Sequence, residues 1–129
     1  MRILLDTNVF LWILTDDVRL SASARRLYLD DSNQLFLSMA SLWEMFIKIG
    51  TGKLEIADRD PVGYLRAQLV ENAITFLPIT YEQVSGLLGL PKLHKDPFDR
   101  LIIAQALHEG LPMLSSDEIF ADYGVRNLF

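Results

Sequence analysis

Four acids stand against apolar sequence: Asp6 in RILLDTN, Glu44 in SLWEMFIK, Asp99 in DPFDRLII and Asp117 in LSSDEIF. Carboxylates gathered in one pocket raise each other's pKa, so they cannot all ionise without compensation. A divalent cation removes that conflict. Oxygen-only ligation completed by water suits Mg²⁺ or Mn²⁺, one ion or two, whereas zinc would want histidine or cysteine. Such ions polarise a phosphoryl oxygen and lower the pKa of a bound water, and a pair of them stabilises the leaving oxygen as well. Phosphodiester hydrolysis is the chemistry that fits.

Each acid also has a simpler reading. Asp6 closes an apolar run and could merely cap a helix. Asn8 beside it makes two polar groups, more than capping requires. Glu44 lies one turn before Lys48, a pairing worth only tenths of a kcal/mol. Among Trp43, Met45 and Phe46, a carboxylate without a partner is costly. Spacing leaves both readings of Glu44 open. Asp117 is equally placed to cap a helix, as are Ser115 and Ser116. Ser115 and Asn8 read as supporting hydrogen-bond donors or caps.

The stretch KLHKDPFDRLIIAQAL separates its two aspartates more sharply. Proline favours the first helical position, and the residue before it is biased away from helix. Asp96 is therefore the N-cap, Pro97 the first helical residue and Asp99 the third. An acid there can reach back to the cap's amide, but aspartate is shorter than the usual glutamate and freer to face elsewhere. Asp96 is assigned to the cap and Asp99 to the metal. His94 and His108 are too far apart in sequence for a local ligand pair and read as surface residues. Trp12 and Trp43 read as core. Lys48 and Arg100 are ordinary surface charges unless the bases ring the acidic rim, where they become candidates for contact with substrate phosphate.

The elements that must position these residues alternate. RILL reads as a buried strand running straight into a helix, TNVFLWILTDD; LSASARRLYLDDS is a second helix with Ser21 as its cap. QLFLS is a strand leading into the helix of SLWEMFIKIGTGKL, which Gly50 and Gly52 end. Pro61 after Asp60 opens a helix over residues 61–72. ITFLPIT is a strand, Thr80 caps YEQVSGLLGL, PML is a short strand before Asp117, EIFADYG a short helix, and VRNLF an edge strand. Strands alternating with helices across short connections predict an α/β fold, a mostly parallel sheet of four to five strands flanked by helices. Ligands of such sheets bind beyond the carboxyl ends of the strands, near a switch in strand order. Asp6, Glu44, Asp99 and Asp117 all follow strand ends.

The bulk numbers bound the rest. A length of 129 residues suits one domain, residues 1–129, with a real core. The absence of cysteine excludes disulfides, thiolate zinc sites and cysteine nucleophiles. No apolar run approaches a membrane span and the N-terminal run is too short for a secretory signal, so a cytoplasmic protein without membrane attachment is expected. The net charge is −5, with 17 acids against 12 bases. That balance is poor for a nucleic-acid binder unless cations neutralise the clustered acids.

Four stretches in register, LLDTNVFLW, SLWEMFIKIGTGKL, HKDPFDRLIIAQA and LSSD, resemble a PIN domain over nearly the whole chain. The likeness is nearest to the VapC-type toxins of toxin–antitoxin pairs. It implies a Mg²⁺- or Mn²⁺-dependent endoribonuclease whose acids are Asp6, Glu44, Asp99 and Asp117, with Asn8 and Ser115 in supporting positions. It also implies a homodimer and a small antitoxin partner in the active-site groove. An antitoxin arginine or lysine could pair with the same acids. Two other readings remain: a receiver-like Mg²⁺-binding phospho-acceptor domain, and a catalytically idle PIN-fold binding module. The first wants an acid after ITFLP and a lysine beyond Lys95, and the chain has neither. RNA and DNA are not distinguished, since nothing in the residues detects a 2′-hydroxyl.

Overall fold

The computed structural model describes residues 1–129. Four parallel strands form one sheet: β1 (Arg2–Leu5), β2 (Gln34–Ser38), β3 (Ile74–Leu77) and β4 (Met113–Leu114), in the order β3-β2-β1-β4. The helices are α1 (Thr7–Thr15), α2 (Ala22–Leu29), α3 (Met39–Gly50), α4 (Pro61–Glu71), α5 (Tyr81–Ser85), α6 (Pro97–Glu109) and α7 (Ile119–Asp122), with a 3₁₀ turn over Gly86–Gly89.

Side-chain alternation explains the layering. Successive residues of a strand point to opposite faces, and a sheet covered on both sides needs both sets apolar. Ile3, Leu5, Leu35, Leu37 and Leu114 pack on one face with Val9, Phe10, Met45 and Leu65. Leu4, Phe36 and Met113 pack on the other with Leu101, Ile102, Phe120 and Tyr123. No helix is long and apolar enough to cross a membrane.

The chain runs outward through β2 and β3, then returns to lay β4 on the other side of β1. The strand order therefore reverses between β1 and β4. Their carboxyl ends are tied by the Asp6 amide, which donates to the Leu114 carbonyl at 3.1 Å.

Two expectations change. VRNLF forms a single bridge, Asn127 to Met113, rather than a strand. The Asn127 side chain continues the pairing in place of backbone: its Oδ1 accepts from the Ser115 amide at 3.1 Å and its Nδ2 donates to the Ser115 carbonyl at 2.7 Å. Trp43 is no core residue but 54% exposed, edge-to-face with Phe98. Trp12 is partly buried, edge-to-face with Phe129 and beneath the Arg19 guanidinium.

A buried amide network locks α5 and α6 to the strand ends. Ser38 Oγ donates to Gln105 Oε1, and Gln105 Nε2 donates to the Pro78 carbonyl at 3.1 Å and to Gln83 Oε1 at 3.2 Å. Gln83 Nε2 then reaches Glu109 at 3.0 Å. Buried groups that lose a partner cost about 1–3 kcal/mol each. Gln105→Ala strands several at once and leaves a cavity, so an equilibrium urea titration should show a loss of roughly 2–4 kcal/mol. A loss below about 1 kcal/mol would mean the network holds little.

Candidate active site

Asp6 lies just past β1, 6% exposed, where the strand order reverses. Its φ of −69° and ψ of 152° are those of an N-cap, and Oδ1 accepts from the Thr7 amide at 2.8 Å. The capping role is real. It occupies only one oxygen. Oδ2 accepts from Ser115 Oγ at 2.8 Å, and the same hydroxyl takes the Asp117 amide at 3.0 Å. Ser115, fully buried and clamped by Asn127, thus joins Asp6 to Asp117 across the strand ends.

Burial pushes the Asp6 carboxyl up to about 6, against the pull of its Ser115 hydrogen bond, and the charges of Asp99 and Asp117 push in the same direction. Asp99 is raised as well, first by burial and then by Asp96 and Glu44, while His94 pulls it down. The charges of Asp99 and Asp117 thus reach Asp6 and that of Glu44 reaches Asp99, while the group whose ligand atoms lie close enough to share one ion is His94, Asp96 and Asp99. Glu44, on α3, is 8% exposed, with Lys48 Nζ 3.5 Å from its Oε2. Asp117 is exposed, and its Oδ1 accepts from the Ile119 amide at 3.0 Å at the start of α7.

Asp96 caps α6, its Oδ1 accepting from the amides of Phe98 at 2.9 Å and Asp99 at 3.1 Å. Asp99 does not turn back to the cap. Its Oδ2 meets His94 Nε2 at 2.8 Å. The reading of His94 as a surface residue is thereby corrected, because the loop before α6 folds it against Asp99, half-buried. His108 sits on the surface beside Glu109.

Two further assignments change. Arg100, a candidate for substrate phosphate, spends its guanidinium on the carbonyls of Pro91 at 2.9 Å and Leu87 at 3.3 Å and on the Tyr123 hydroxyl at 3.2 Å. Its geometry is that of a loop brace. Asn8 is exposed, forms no side-chain hydrogen bond to the acids and lines a separate hollow with Trp12 and Tyr64. Thr7 makes the polar link across to α3 instead, its Oγ1 donating to Ser41 Oγ at 2.8 Å. Lys48 keeps a suitable place: with Glu44, Lys53 and Asp96 it lines a cleft of about 270 Å³. Sequence reasoning missed His94, Asn127 and Tyr123. Only His94 left a signal, in its nearness to Asp96 and Asp99.

On the far side of α3, Met39, Trp43, Phe46, Phe76, Val84 and their neighbours line a wholly apolar hollow of about 760 Å³. A second hollow of about 330 Å³ shares Leu42, Phe46 and Phe76 with it and extends the groove to Leu65 and Leu69.

The PIN domain family model matches residues 3–125. The chain belongs to the PIN domain family. A comparison with curated protein sequences finds no match. Among solved structures, this PIN domain resembles VapBC2 from Rickettsia felis, crystallised with a DNA fragment from its promoter, at TM-score 0.68 and 15% identity over 98% of this chain and 97% of that one. VapBC-1 from nontypeable Haemophilus influenzae gives TM-score 0.65 and 17% identity over 98% and 96%. A toxin–antitoxin complex from Klebsiella pneumoniae gives 0.56 and 15% over 89% and 86%. At such identities the likeness is one of fold. Membership in the PIN family sets aside the receiver-like alternative.

Proposed function

We propose that this PIN domain is a divalent-metal-dependent endoribonuclease and the toxin of a VapC-type toxin–antitoxin pair. The observation that carries the reading is the buried Asp6, pushed up to about 6 by burial and by its acidic neighbours at the reversal in strand order. A protein gains nothing in stability from such crowding, whereas a cation relieves it. The donor set is all oxygen, which suits Mg²⁺ or Mn²⁺.

Asp6, Glu44, Asp99 and Asp117 would hold one or two such ions. When bound, they would supply Lewis-acid polarisation of the phosphoryl group and activation of water. The chain's own residues do the rest. Ser115 and the Thr7 amide fix the Asp6 carboxylate in one orientation. Asp96 sets the first turn of α6 and so the place of Asp99. Lys48 and Lys53 flank the cleft beside Glu44, where they can guide phosphates on either side of the scissile bond. The acidic net charge is then no obstacle, because phosphate meets neutralised acids at the centre and bases at the edge.

The partner half of the proposal rests on the apolar groove beside α3. Large exposed apolar patches mark interaction sites, and an amphipathic helix is the usual occupant of a groove. The VapBC and toxin–antitoxin complexes share this fold.

The test is cleavage of single-stranded RNA, structured RNA and DNA, with Mg²⁺, with Mn²⁺ and in chelator. Cleavage that persists in chelator would sink the assignment; cleavage of DNA alone would change the substrate; no cleavage at all would leave a binding module. Asp96→Asn keeps the cap, since asparagine caps about as well as aspartate. It should retain most activity while Asp99→Asn loses it. Equal loss from both would refute the division of roles between them.

A further inference from the structure

We propose that His94 is a positioning residue that holds the Asp99 carboxylate in the orientation a cation requires. This rests on the metal-dependent reading above and adds to it a residue outside the four acids.

The hydrogen bond from His94 Nε2 occupies Asp99 Oδ2 at 2.8 Å and leaves Oδ1 with no partner in the protein. One oxygen is anchored and the other is presented. Asp99 already has its backbone fixed by the Asp96 cap, so its side-chain torsion is the freedom that remains, and His94 removes it.

The histidine is itself held in place. The amides of His94 and Leu93 donate to the Tyr123 hydroxyl at 2.8 and 3.2 Å. Arg100, the residue after Asp99 on α6, donates to the same hydroxyl at 3.2 Å and to the Pro91 carbonyl at 2.9 Å. Tyr123 is 7% exposed, in the core against the second face of the sheet. Three donors converging on one buried oxygen pin the loop before α6 to the helix that carries Asp99. The cost of ordering that loop is met by the fold, not by the cation. His94, Asp96 and Asp99 lie close enough for direct ligation by all three, and the Asp96 capping bonds, both on one oxygen, leave its other oxygen open. The short His94–Asp99 hydrogen bond favours orientation over ligation.

Outer hydrogen-bonding partners of metal ligands typically contribute 10–100-fold in metal affinity. Mn²⁺ titration followed by electron paramagnetic resonance of the free ion reads that affinity without any substrate. His94→Ala should weaken Mn²⁺ binding by about 10–100-fold, while His94→Gln, which keeps an N–H donor, should recover to within about threefold of the parent protein. Tyr123→Phe should weaken it too, by a smaller factor, because it loosens the loop and leaves the imidazole present. Echo-modulation spectra of bound Mn²⁺ should show no directly coordinated imidazole nitrogen. Unchanged affinity in His94→Ala would overturn the proposal, and so would a directly coordinated imidazole. If His94→Ala does not fold, failure of His94→Gln to bind as the parent does would overturn it equally. A parent protein that binds no Mn²⁺ would instead overturn the metal-dependent reading itself, which is a distinct result.

Discussion

Asp6→Asn is expected to make the metal-free protein more stable above neutral pH while abolishing its activity. The sign follows from linkage. The folded-state pKa of Asp6 is raised to about 6 from a reference of 3.8, so the folded state holds its proton longer than the unfolded chain does. Below the unfolded value both states are protonated and Asp6 imposes no penalty. As pH rises through the folded value, stability is lost, by about 3 kcal/mol for a shift of this size. Asparagine carries no charge, still caps α1 through its carbonyl oxygen, and turns its amide toward Ser115 Oγ.

In chelator, therefore, thermal melts of the parent and the variant should nearly coincide near pH 4 and separate towards pH 7–8, the variant melting higher by up to roughly 10 °C. Mg²⁺ or Mn²⁺ should raise the melting temperature of the parent and leave the variant where it was. Cleavage should fall by more than the roughly 100-fold that loss of an outer partner can cause, because a carboxylate of the centre itself is gone. Melting curves that stay parallel from pH 4 to pH 8 would show that the buried Asp6 carboxylate does not strain the fold. Stability given up at a site in this way is the mark of a group kept for chemistry.

The fold was largely legible because its signals are local. RILL and QLFLS place alternate side chains on two apolar faces, and Asp96–Pro97 announces a helix start that depends only on neighbouring residues. The placement of Asp6 and Asp117 was legible for a related reason, since each follows an apolar strand and so lies at the edge of a parallel sheet where ligands bind. What was not legible depends on long-range contact. The place of His94 is fixed by a tyrosine 29 residues away. Arg100 was misread because its sequence neighbours say nothing of the carbonyls that the loop over Leu87–Pro91 turns toward it. Trp43 was misread because helical spacing identifies an apolar stripe without saying whether that stripe meets the core. In α3 two stripes coexist: Met45 packs under the sheet, whereas Trp43 and Phe46 face out. VRNLF has the composition of a strand, but Asn127 substitutes its side chain for the ladder, which no propensity reports.

That outward stripe carries the second large effect. Phe46→Asp is expected to weaken capture of the antitoxin by two orders of magnitude or more, on the scale of hot-spot residues that contribute over about 2–4 kcal/mol. Phe46 is 39% exposed and lies where the two apolar hollows meet, so an occupant of either one covers it. Burying a carboxylate there without a partner is far costlier than losing the ring alone. The isolated domain should tolerate the change, because the aspartate keeps water in the absence of the partner. Its melting point and its cleavage of RNA should stay close to those of the parent, since Phe46 belongs to the face turned away from the acid cluster. Co-expression with the antitoxin, followed by purification through the antitoxin and calorimetry of the separated chains, reads the effect directly. Glu44 and Phe46 sit two positions apart on α3 and so present to different sides. On the proposed function, one helix would serve both the chemistry and its inhibition. Trp43 at the rim of the groove meets Phe98 of the cleft that Lys48 and Glu44 line, so a partner extending past Trp43 would bring a basic side chain within reach of the acids. Phe46→Asp should then release activity in the mixture as well as the complex. Full inhibition with undiminished affinity would place the antitoxin on another face of the molecule.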